Sequence, residues 1–354
     1  MTARMPAGLD FVATRLHARR SRLAEAGRLD ALCRVRQIAE LARMLYSDSA
    51  VDTAVELQRR MVSEMVKELA WLAEMFDGPQ GDLLDWLSAR FQIENLKVLA
   101  RAFAVRADFA DIQPLLVPVP GGPALDAKAL VAAESVEQFG ALVPMKPIRK
   151  AILAAAEFYD AMPRPFFIES AVDQGYFTEL LARVDALSEG DREEVVGLAR
   201  LEVDIFQLML VVRGRLHYNL KPEQVLAFCV KGAGLRRDTV AAMAGAADLA
   251  GVVAKAVGPV FPTLPREVGA KGSGHGNLDA VTLEALAWNR YLVVASHLFR
   301  RSHMGLGAVV AYVAIRRVEV ANLITLTEGI RTGMAPEEVR KRLFPRADLE
   351  AAHV

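Results

Sequence analysis

The sequence predicts an all-α protein made of three helical modules related by pseudosymmetry. Apolar residues recur at helical spacing through most of the 354 residues, and no alternating strand pattern of useful length appears. One motif also occurs three times: a side-chain amide followed by Leu, with an acidic residue before it and a long helical run around it. The three pairs are Asn95-Leu96, Gln207-Leu208 and Asn322-Leu323.

The spacing of this motif predicts the domain organisation. Successive amides lie 112 and 115 residues apart, which divides the chain into 1–122, 123–234 and 235–354, the first part including an additional N-terminal helix. A repeat of this length exceeds the roughly 20–50 residues of solenoid repeats, so each module needs several helices and its own core. Modules in head-to-tail contact close into a ring when the rotation permits. We therefore expect a pseudo-threefold body with the three motif leucines in its core.

The same order of helices is predicted in each module. An amphipathic helix over 8–27 opens the chain. In each module two short helices precede a long one, a breaking turn follows, and the motif helix comes next. In the second and third modules a Pro-Glu-x-Val sequence then predicts a last short helix, because proline favours the first helical turn. The short pairs are predicted at 29–46, 125–143 and 236–257, and the long helices at 55–76, 165–187 and 283–300.

The polar residues of the motif are candidate site residues. Side-chain amides on mostly apolar helices usually satisfy backbone groups at helix junctions, so we expect this set to have a structural role. A shared binding feature is the alternative. The set comprises Glu94, Asn95, Asp204, Gln207, Glu319 and Asn322.

A second set of positions diverges in charge. Arg101 and Arg213 each follow the motif amide by six residues, whereas Glu328 takes this position in the third copy. Electrostatic complementarity sets the orientation of a partner more than it adds affinity. We therefore predict Arg101 and Arg213 as docking residues.

Composition excludes several classes of protein. The formal net charge is zero, which argues against nucleic acid as the main partner. No apolar run is long enough for a transmembrane helix, and the N-terminus lacks the pattern of a signal peptide. With only two cysteines, Cys33 and Cys229, the expected compartment is a reducing one.

The motifs that carry catalytic or metal chemistry are missing from the sequence. It contains no His-x-x-x-His or Cys-x-x-Cys pair, no phosphate-binding Gly-x-x-x-x-Gly-Lys loop and no Gly-x-Ser-x-Gly nucleophile turn. We therefore predict no catalytic residue, no cofactor and no metal site.

Three segments together resemble a known family. FQIENLKVLARAF (91–103), DIFQLMLVVRG (204–214) and VEVANLITLTEGIRTGMAPEEVRKRL (318–343) resemble the three motifs of the C subunit of bacterial and archaeal V-type (A-type) rotary ATPases, the homologue of the d subunit of the eukaryotic V-ATPase. The chain departs from the family pattern in three places. Gln207 stands where Asn is usual, Gln113-Pro114-Leu115 replaces Pro-Glu-x-Val, and Glu328 replaces the arginine of the other two copies.

The resemblance implies a funnel-shaped, all-helical, pseudo-threefold subunit without activity of its own. It implies a monomer within a larger complex, on the cytoplasmic end of the membrane rotor (proteolipid) ring, that receives the foot of the central shaft built from the D and F subunits. Two alternatives compete with this interpretation. One is a helical scaffold unrelated to rotary ATPases, and the other is an all-α enzyme with a small-molecule site in a central cavity.

Overall fold

The computed structural model describes residues 8–48, 50–119, 123–263 and 279–345, and these residues form helices joined by turns. Within these ranges there is no β-strand, and the one isolated β-bridge joins Val257 to Phe261. The predicted all-α class is therefore confirmed. The pseudo-threefold funnel stays a prediction.

Eighteen α-helices account for most of the described chain. The first seven are α1 (Leu9–Arg20), α2 (Ala26–Cys33), α3 (Ile38–Leu45), α4 (Ala54–Ala73), α5 (Gly78–Ser88), α6 (Arg90–Val105) and α7 (Phe109–Ile112). The middle helices are α8 (Ala127–Val131), α9 (Val136–Leu142), α10 (Lys146–Ala161), α11 (Pro165–Asp185), α12 (Glu189–Val212) and α13 (Pro222–Leu226). The last are α14 (Arg237–Ala244), α15 (Leu249–Ala256), α16 (Ala280–Ser302), α17 (Leu306–Arg331) and α18 (Pro336–Arg340).

Local sequence signals account for where many of these helices begin. The hydroxyl of Ser135 accepts a hydrogen bond from the backbone N–H of Gln138, whose side-chain oxygen accepts one from the N–H of Glu134. Pro222 and Pro336 occupy the first turns of α13 and α18, as predicted. The predicted short pairs are confirmed as α2–α3, α8–α9 and α14–α15, and the predicted long helices as α4, α11 and α16.

Helix α10 has no counterpart in the sequence-based prediction. Its buried residues Ile148, Ile152, Ala155 and Ala156 form one stripe, but three alanines follow one another at 154–156 and blur the amphipathic signal. Helix α11 approaches α10 closely at Gly175, where a Cβ atom would lie 2.9 Å from the Cα of Ile148. The absence of a side chain at Gly175 therefore permits the close packing of these two helices.

The described chain separates into two compact units. The first comprises the described residues of Met1–Leu84, Ser188–Leu198 and Ala285–Val354, and the second those of Asp85–Leu187 and Ala199–Glu284. In the first unit α17 packs on α1, α3 and α4, and α18 packs on α2; in the second α11 packs on α6 and α10. The division into modules at 122/123 and 234/235 stays a prediction, and residues 120–122 lie outside the described chain.

The motif leucines lie in the cores of their units. Leu96, Leu208 and Leu323 are 0%, 0% and 3% exposed, which confirms their predicted burial. A helix that buries one face of this kind gains most of its stability from packing. Core packing therefore holds the motif helices α6, α12 and α17 in place, and these helices in turn position the polar side chains of the motif.

Candidate functional site

Two of the motif amides form the same pair of hydrogen bonds with the backbone. Asn95 Nδ2 donates to the carbonyl of Val117 over 2.8 Å, and Asn95 Oδ1 accepts from the N–H of Val117 over 2.9 Å. Asn322 likewise donates to the carbonyl of Phe344 and accepts from its N–H, the latter over 2.7 Å. In both copies the amide therefore fastens the segment that follows the motif helix, 22 residues further along the chain.

Gln207, the departure from the family pattern, bridges two segments instead of one. Its Nε2 donates to the carbonyl of Leu235 over 2.8 Å, and its Oε1 accepts from the N–H of Val230 over 3.0 Å. Glutamine is one methylene longer than asparagine, which gives its amide a longer reach from the helix. All three amides are buried, so each of these backbone groups would lose its partner if the side chain were removed.

The acidic residues of the motif occupy different environments. Asp204 accepts a hydrogen bond from the N–H of Leu235 over 2.6 Å, and Glu319 accepts one from the N–H of Ala24 over 2.6 Å. Glu94, in contrast, is half-exposed and pairs with Arg90 at 2.8 Å and Lys97 at 3.0 Å.

Gln92 takes the place of the buried acid in the first copy. It is buried, it lies three residues before Asn95, and its Nε2 donates to the carbonyl of Pro123 over 3.3 Å. Asp204 and Glu319 also precede their amides by three residues. The three-residue spacing could therefore have identified Gln92 from the sequence. The sequence-based prediction names Glu94 instead because Glu94 is acidic.

The three buried residues at this position contact equivalent places in the chain. Gln92, Asp204 and Glu319 bind the backbone just before the short helices α8, α14 and α2, respectively. In the third copy the partner, Ala24, lies near the start of the chain. The C-terminal motif helix α17 is therefore hydrogen-bonded to the segment that opens the first pair of short helices.

Burial raises the pKa of both motif acids. For Asp204 desolvation raises the pKa to about 6, against the opposing effect of hydrogen bonds from the N–H groups of Leu235 and Gly234. For Glu319 desolvation also raises the pKa, while Arg316 and the N–H of Ala24 oppose the shift. The two carboxyls thus lie in surroundings that disfavour their charge.

The divergent positions each contact a neighbouring long helix. Arg101 Nε lies 2.5 Å from Glu169 Oε1 on α11, and Arg213 Nη2 lies 3.2 Å from Glu284 Oε1 on α16. In the third copy Gln58 of α4 donates to Glu328 over 2.7 Å. The side chains of Arg101 and Arg213 are 56% and 51% exposed, so both remain accessible although each already has a carboxylate partner.

The second copy also carries an irregular turn at this point. Residues Arg213–His217 form a single π-helical turn after α12, and Gly214 packs so tightly that a Cβ would lie 2.8 Å from Cγ2 of Val225. The turn gives Arg213 backbone geometry that differs from that of Arg101 within α6.

A buried charged network lies in the first unit. Arg316 contacts Glu68 at 3.2 Å and also pairs with Glu319, and the hydroxyl of Tyr312 donates to Glu68 over 2.8 Å. Ion pairs and a hydrogen bond thus compensate these buried charges. Elsewhere in the described ranges, no group of His, Cys, Asp or Glu residues has the arrangement of a metal site.

None of the described helices is long and apolar enough to cross a membrane. The candidate site consists instead of hydrogen bonds between motif side chains and nearby backbone groups, repeated in the three motif copies.

The family model described as the ATP synthase (C/AC39) subunit matches residues 12–342, a range that includes all three motif copies. The chain belongs to the ATP synthase (C/AC39) subunit family. It is accordingly a subunit of a rotary ATPase complex.

Relatives in this family are similar over most of their length. The C subunit of the A-type ATP synthase of Methanocaldococcus jannaschii is 22% identical over 350 residues, covering 94% of this chain and 86% of the relative. That of Methanobrevibacter smithii is 22% identical over 334 residues, covering 91% and 84%. That of Methanosphaera stadtmanae is 19% identical over 290 residues, covering 81% and 74%.

Family membership decides between the interpretations left open by the sequence. The family is a non-catalytic subunit of the complex, which confirms that the chain is not an enzyme in its own right. It also excludes a scaffold unrelated to rotary ATPases. The partners of the chain therefore lie within the ATPase complex.

Proposed function

We propose that this chain is the central-stalk socket of its rotary ATPase. In this role it rests on the cytoplasmic face of the membrane rotor ring, receives the D and F subunits of the shaft, and passes rotation between the ATP-hydrolysing or ATP-synthesising head and the ion-carrying ring. It acts as a monomer within the larger complex. Membership of the (C/AC39) family and the similarity to the C subunits of A-type ATP synthases support this role.

The observation that carries the proposal is that the motif amide hydrogen-bonds to backbone in all three copies. The buried amides of Asn95, Gln207 and Asn322 each hold nearby backbone through two hydrogen bonds. A part that transmits torque must resist slippage between its helices, and buried, satisfied polar contacts rigidify a fold. The contact between Glu319 and Ala24 adds a buried hydrogen bond within the first unit, where it holds the last motif copy to the segment before α2.

The charge pattern supports a single orientation of the partner. Two equivalent positions present a half-exposed arginine and the third presents Glu328. A shaft that met three identical surfaces could bind in three registers, whereas unlike charges favour one register and disfavour the others. Arg101 and Arg213 therefore belong to the surface that contacts the shaft or the ring.

Binding measurements with purified partners test the proposed role. We expect the full chain to bind the D–F shaft and the isolated rotor ring separately, and to bridge them when all three are mixed. Surface-plasmon resonance with immobilised shaft, followed by co-purification with the ring in detergent, measures both contacts. Failure to bind either partner, with the chain folded by circular dichroism, contradicts the proposal.

The docking residues have a matched control in their own ion-pair partners. We expect Arg101→Gln with Arg213→Gln to weaken assembly at low salt, and the difference from wild type to shrink at about 0.5 M salt, because ions screen exposed charges. The control, Glu169→Gln with Glu284→Gln, breaks the same ion pairs but keeps both arginines. If both double variants bind like wild type, the arginines are not docking residues; if both weaken binding equally, the ion pairs act on the fold.

A further inference from the structure

A pocket in the first unit carries an excess of positive charge that the proposed role does not use. It has a volume of about 470 Å³ and opens between α1, α3, α4 and α17, beside the segment that joins α1 to α2. Three carboxylates line it, from Glu64, Glu68 and Glu319. Five basic side chains line it as well, from Arg19, Arg22, Arg28, Lys67 and Arg316. The lining therefore has a formal charge of +2.

The floor of the pocket is fixed and internally compensated. Arg316 and Glu68 have side chains only 12% exposed and lie 3.2 Å apart. Glu319 pairs with the same arginine, and Arg19 pairs with Glu68. The hydroxyl of Tyr312 completes the floor by donating to Glu68. At the floor, the charges of Arg19 and Arg316 offset those of Glu68 and Glu319. The net charge of +2 therefore comes from the remaining charged side chains, which form the rim of the pocket: Arg22, Arg28, Lys67 and Glu64.

The rim holds cations that lack strong internal partners. Arg28 Nη1 donates to the carbonyl of Arg22, and neither arginine forms an ion pair within 4.0 Å in the described ranges, although the charge of Arg28 acts from a longer distance to lower the pKa of Glu319. Lys67 contacts Glu64 one helical turn away at 3.2 Å, with 61% of its side chain exposed. Such an exposed pair contributes little and can open easily. Arg22, Arg28 and Lys67 are thus available to a ligand at the mouth of the pocket.

We propose that this pocket binds a phosphate group as a dianion. A charge of −2 offsets the +2 of the lining, whereas one carboxylate would offset only half of it. The planar guanidinium forks of Arg22 and Arg28 match the oxygen geometry of phosphate, and the ammonium of Lys67 adds a point charge. Tyr46 supplies a further donor at the wall, since burial raises its pKa and favours the protonated hydroxyl.

The volume of the pocket permits more than one source of this group. Free inorganic phosphate, the terminal phosphate of a nucleotide and a phosphomonoester lipid headgroup all present the same dianion. The pocket is lined by Glu319 and Leu323 of the third motif copy but by none of the motif amides, and its binding of phosphate does not depend on the proposed socket role. A negative result for phosphate therefore leaves shaft and ring binding untouched, and the two proposals can fail independently.

Calorimetry and thermal unfolding of the purified full chain test the site. Three probes distinguish the sources: sodium phosphate, ATP, and vesicles of phosphatidylcholine with or without phosphatidic acid. All comparisons use sodium chloride at matched ionic strength, because bulk screening alone changes surface electrostatics. Binding of one of these probes with a rise in Tm is the expected result, because a ligand of the native state stabilises it.

Two double variants of equal charge change localise the effect. Arg22→Gln with Lys67→Gln should weaken binding about tenfold or more, since hydrogen bonds to charged groups are among the stronger ones. Arg34→Gln with Arg36→Gln removes two exposed arginines outside the pocket and should bind like wild type. Wild-type protein that responds to none of the probes beyond chloride overturns the proposal, as does an equal response of the two double variants.

Discussion

Replacing Asp204 with Asn is expected to stabilise the second unit at neutral and alkaline pH. Asp204 is 2% exposed, and burial raises its pKa from 3.8 to about 6. Each pKa unit corresponds to about 1.36 kcal/mol, so the ionised carboxylate destabilises the fold by about 3 kcal/mol above pH 7. The neutral Asn side chain avoids this cost, and its Oδ1 can still accept from the N–H of Leu235.

The net gain is smaller than the full electrostatic cost. Asp204 also accepts from the N–H of Gly234, and an amide that keeps one acceptor oxygen cannot serve both donors equally. Loss of one such hydrogen bond costs about 1–1.5 kcal/mol. We therefore expect Asp204→Asn to raise the unfolding free energy by about 1–2 kcal/mol at pH 8.

The pH dependence gives the sharper test. Because the folded pKa is raised, the stability that comes from the protonated form is fully present below about pH 3.8 and is lost as the pH rises through about 6. The advantage of Asp204→Asn should therefore shrink as the pH falls from 8 to 4.5, and its own stability should vary less over this range. Urea unfolding followed by circular dichroism at several pH values measures both trends.

An exposed carboxylate provides the control for this experiment. Asp160 lies on α10 and is exposed, so Asp160→Asn should change the unfolding free energy by less than about 0.5 kcal/mol. A constant stability difference between Asp204→Asn and wild type at every pH would refute the reasoning, since it would mean that Asp204 titrates alike in the folded and unfolded states.

Substitutions in the cores and in the motif, and an assay of ATP turnover, give three more tests. Leu96→Ala, Leu208→Ala and Leu323→Ala should each lower the unfolding free energy by about 2–5 kcal/mol in urea titrations, and losses near zero at two sites contradict their role as buried core residues. Asn95→Ala should cost about 1–3 kcal/mol because it removes the partner of both the N–H and the carbonyl of the half-buried Val117, whereas Glu94→Gln should change stability by less than about 1 kcal/mol. The purified chain should release no phosphate from ATP, and turnover that follows the protein at constant specific activity through purification would contradict this.

Sequence periodicity was sufficient for the class of fold and for most helices, because apolar spacing and helix-start residues are local signals. The motif spacing singled out three amides that are buried in the structure, yet it could not show that Gln207 bridges Val230 and Leu235. In the first motif copy, residue type alone does not identify the buried polar side chain. Glu94 has the expected charge but an exposed side chain, while the neutral Gln92 holds the buried position.

Contacts between distant parts of the chain could not be predicted from the sequence. Glu68 and Arg316 are 248 residues apart, and neither sits in a pattern that distinguishes a buried ion pair from ordinary surface charge. Their association depends on the packing of α17 against α4, which a single sequence does not encode in its local spacing. The basic pocket above this pair was missed for the same reason.

Glu319 forms both a hydrogen bond to distant backbone and a buried ion pair. Its substitution tests whether the last motif copy is held to the segment before α2. Its side chain accepts from the N–H of Ala24 and pairs with the buried Arg316. Glu319→Ala removes both interactions, leaves Arg316 only partly compensated by Glu68, and should cost about 3–5 kcal/mol, the range for breaking a buried ion pair. Glu319→Gln keeps an acceptor for Ala24 and should lower the unfolding free energy by less.

Hydrogen exchange at the N–H of Ala24 distinguishes the hydrogen bond from the ion pair. The exchange rate should rise strongly in the Ala variant and only modestly in the Gln variant. Equal acceleration in both would mean that the ion pair of Glu319 with Arg316, rather than an acceptor at position 319 alone, keeps α17 bound to the segment before α2.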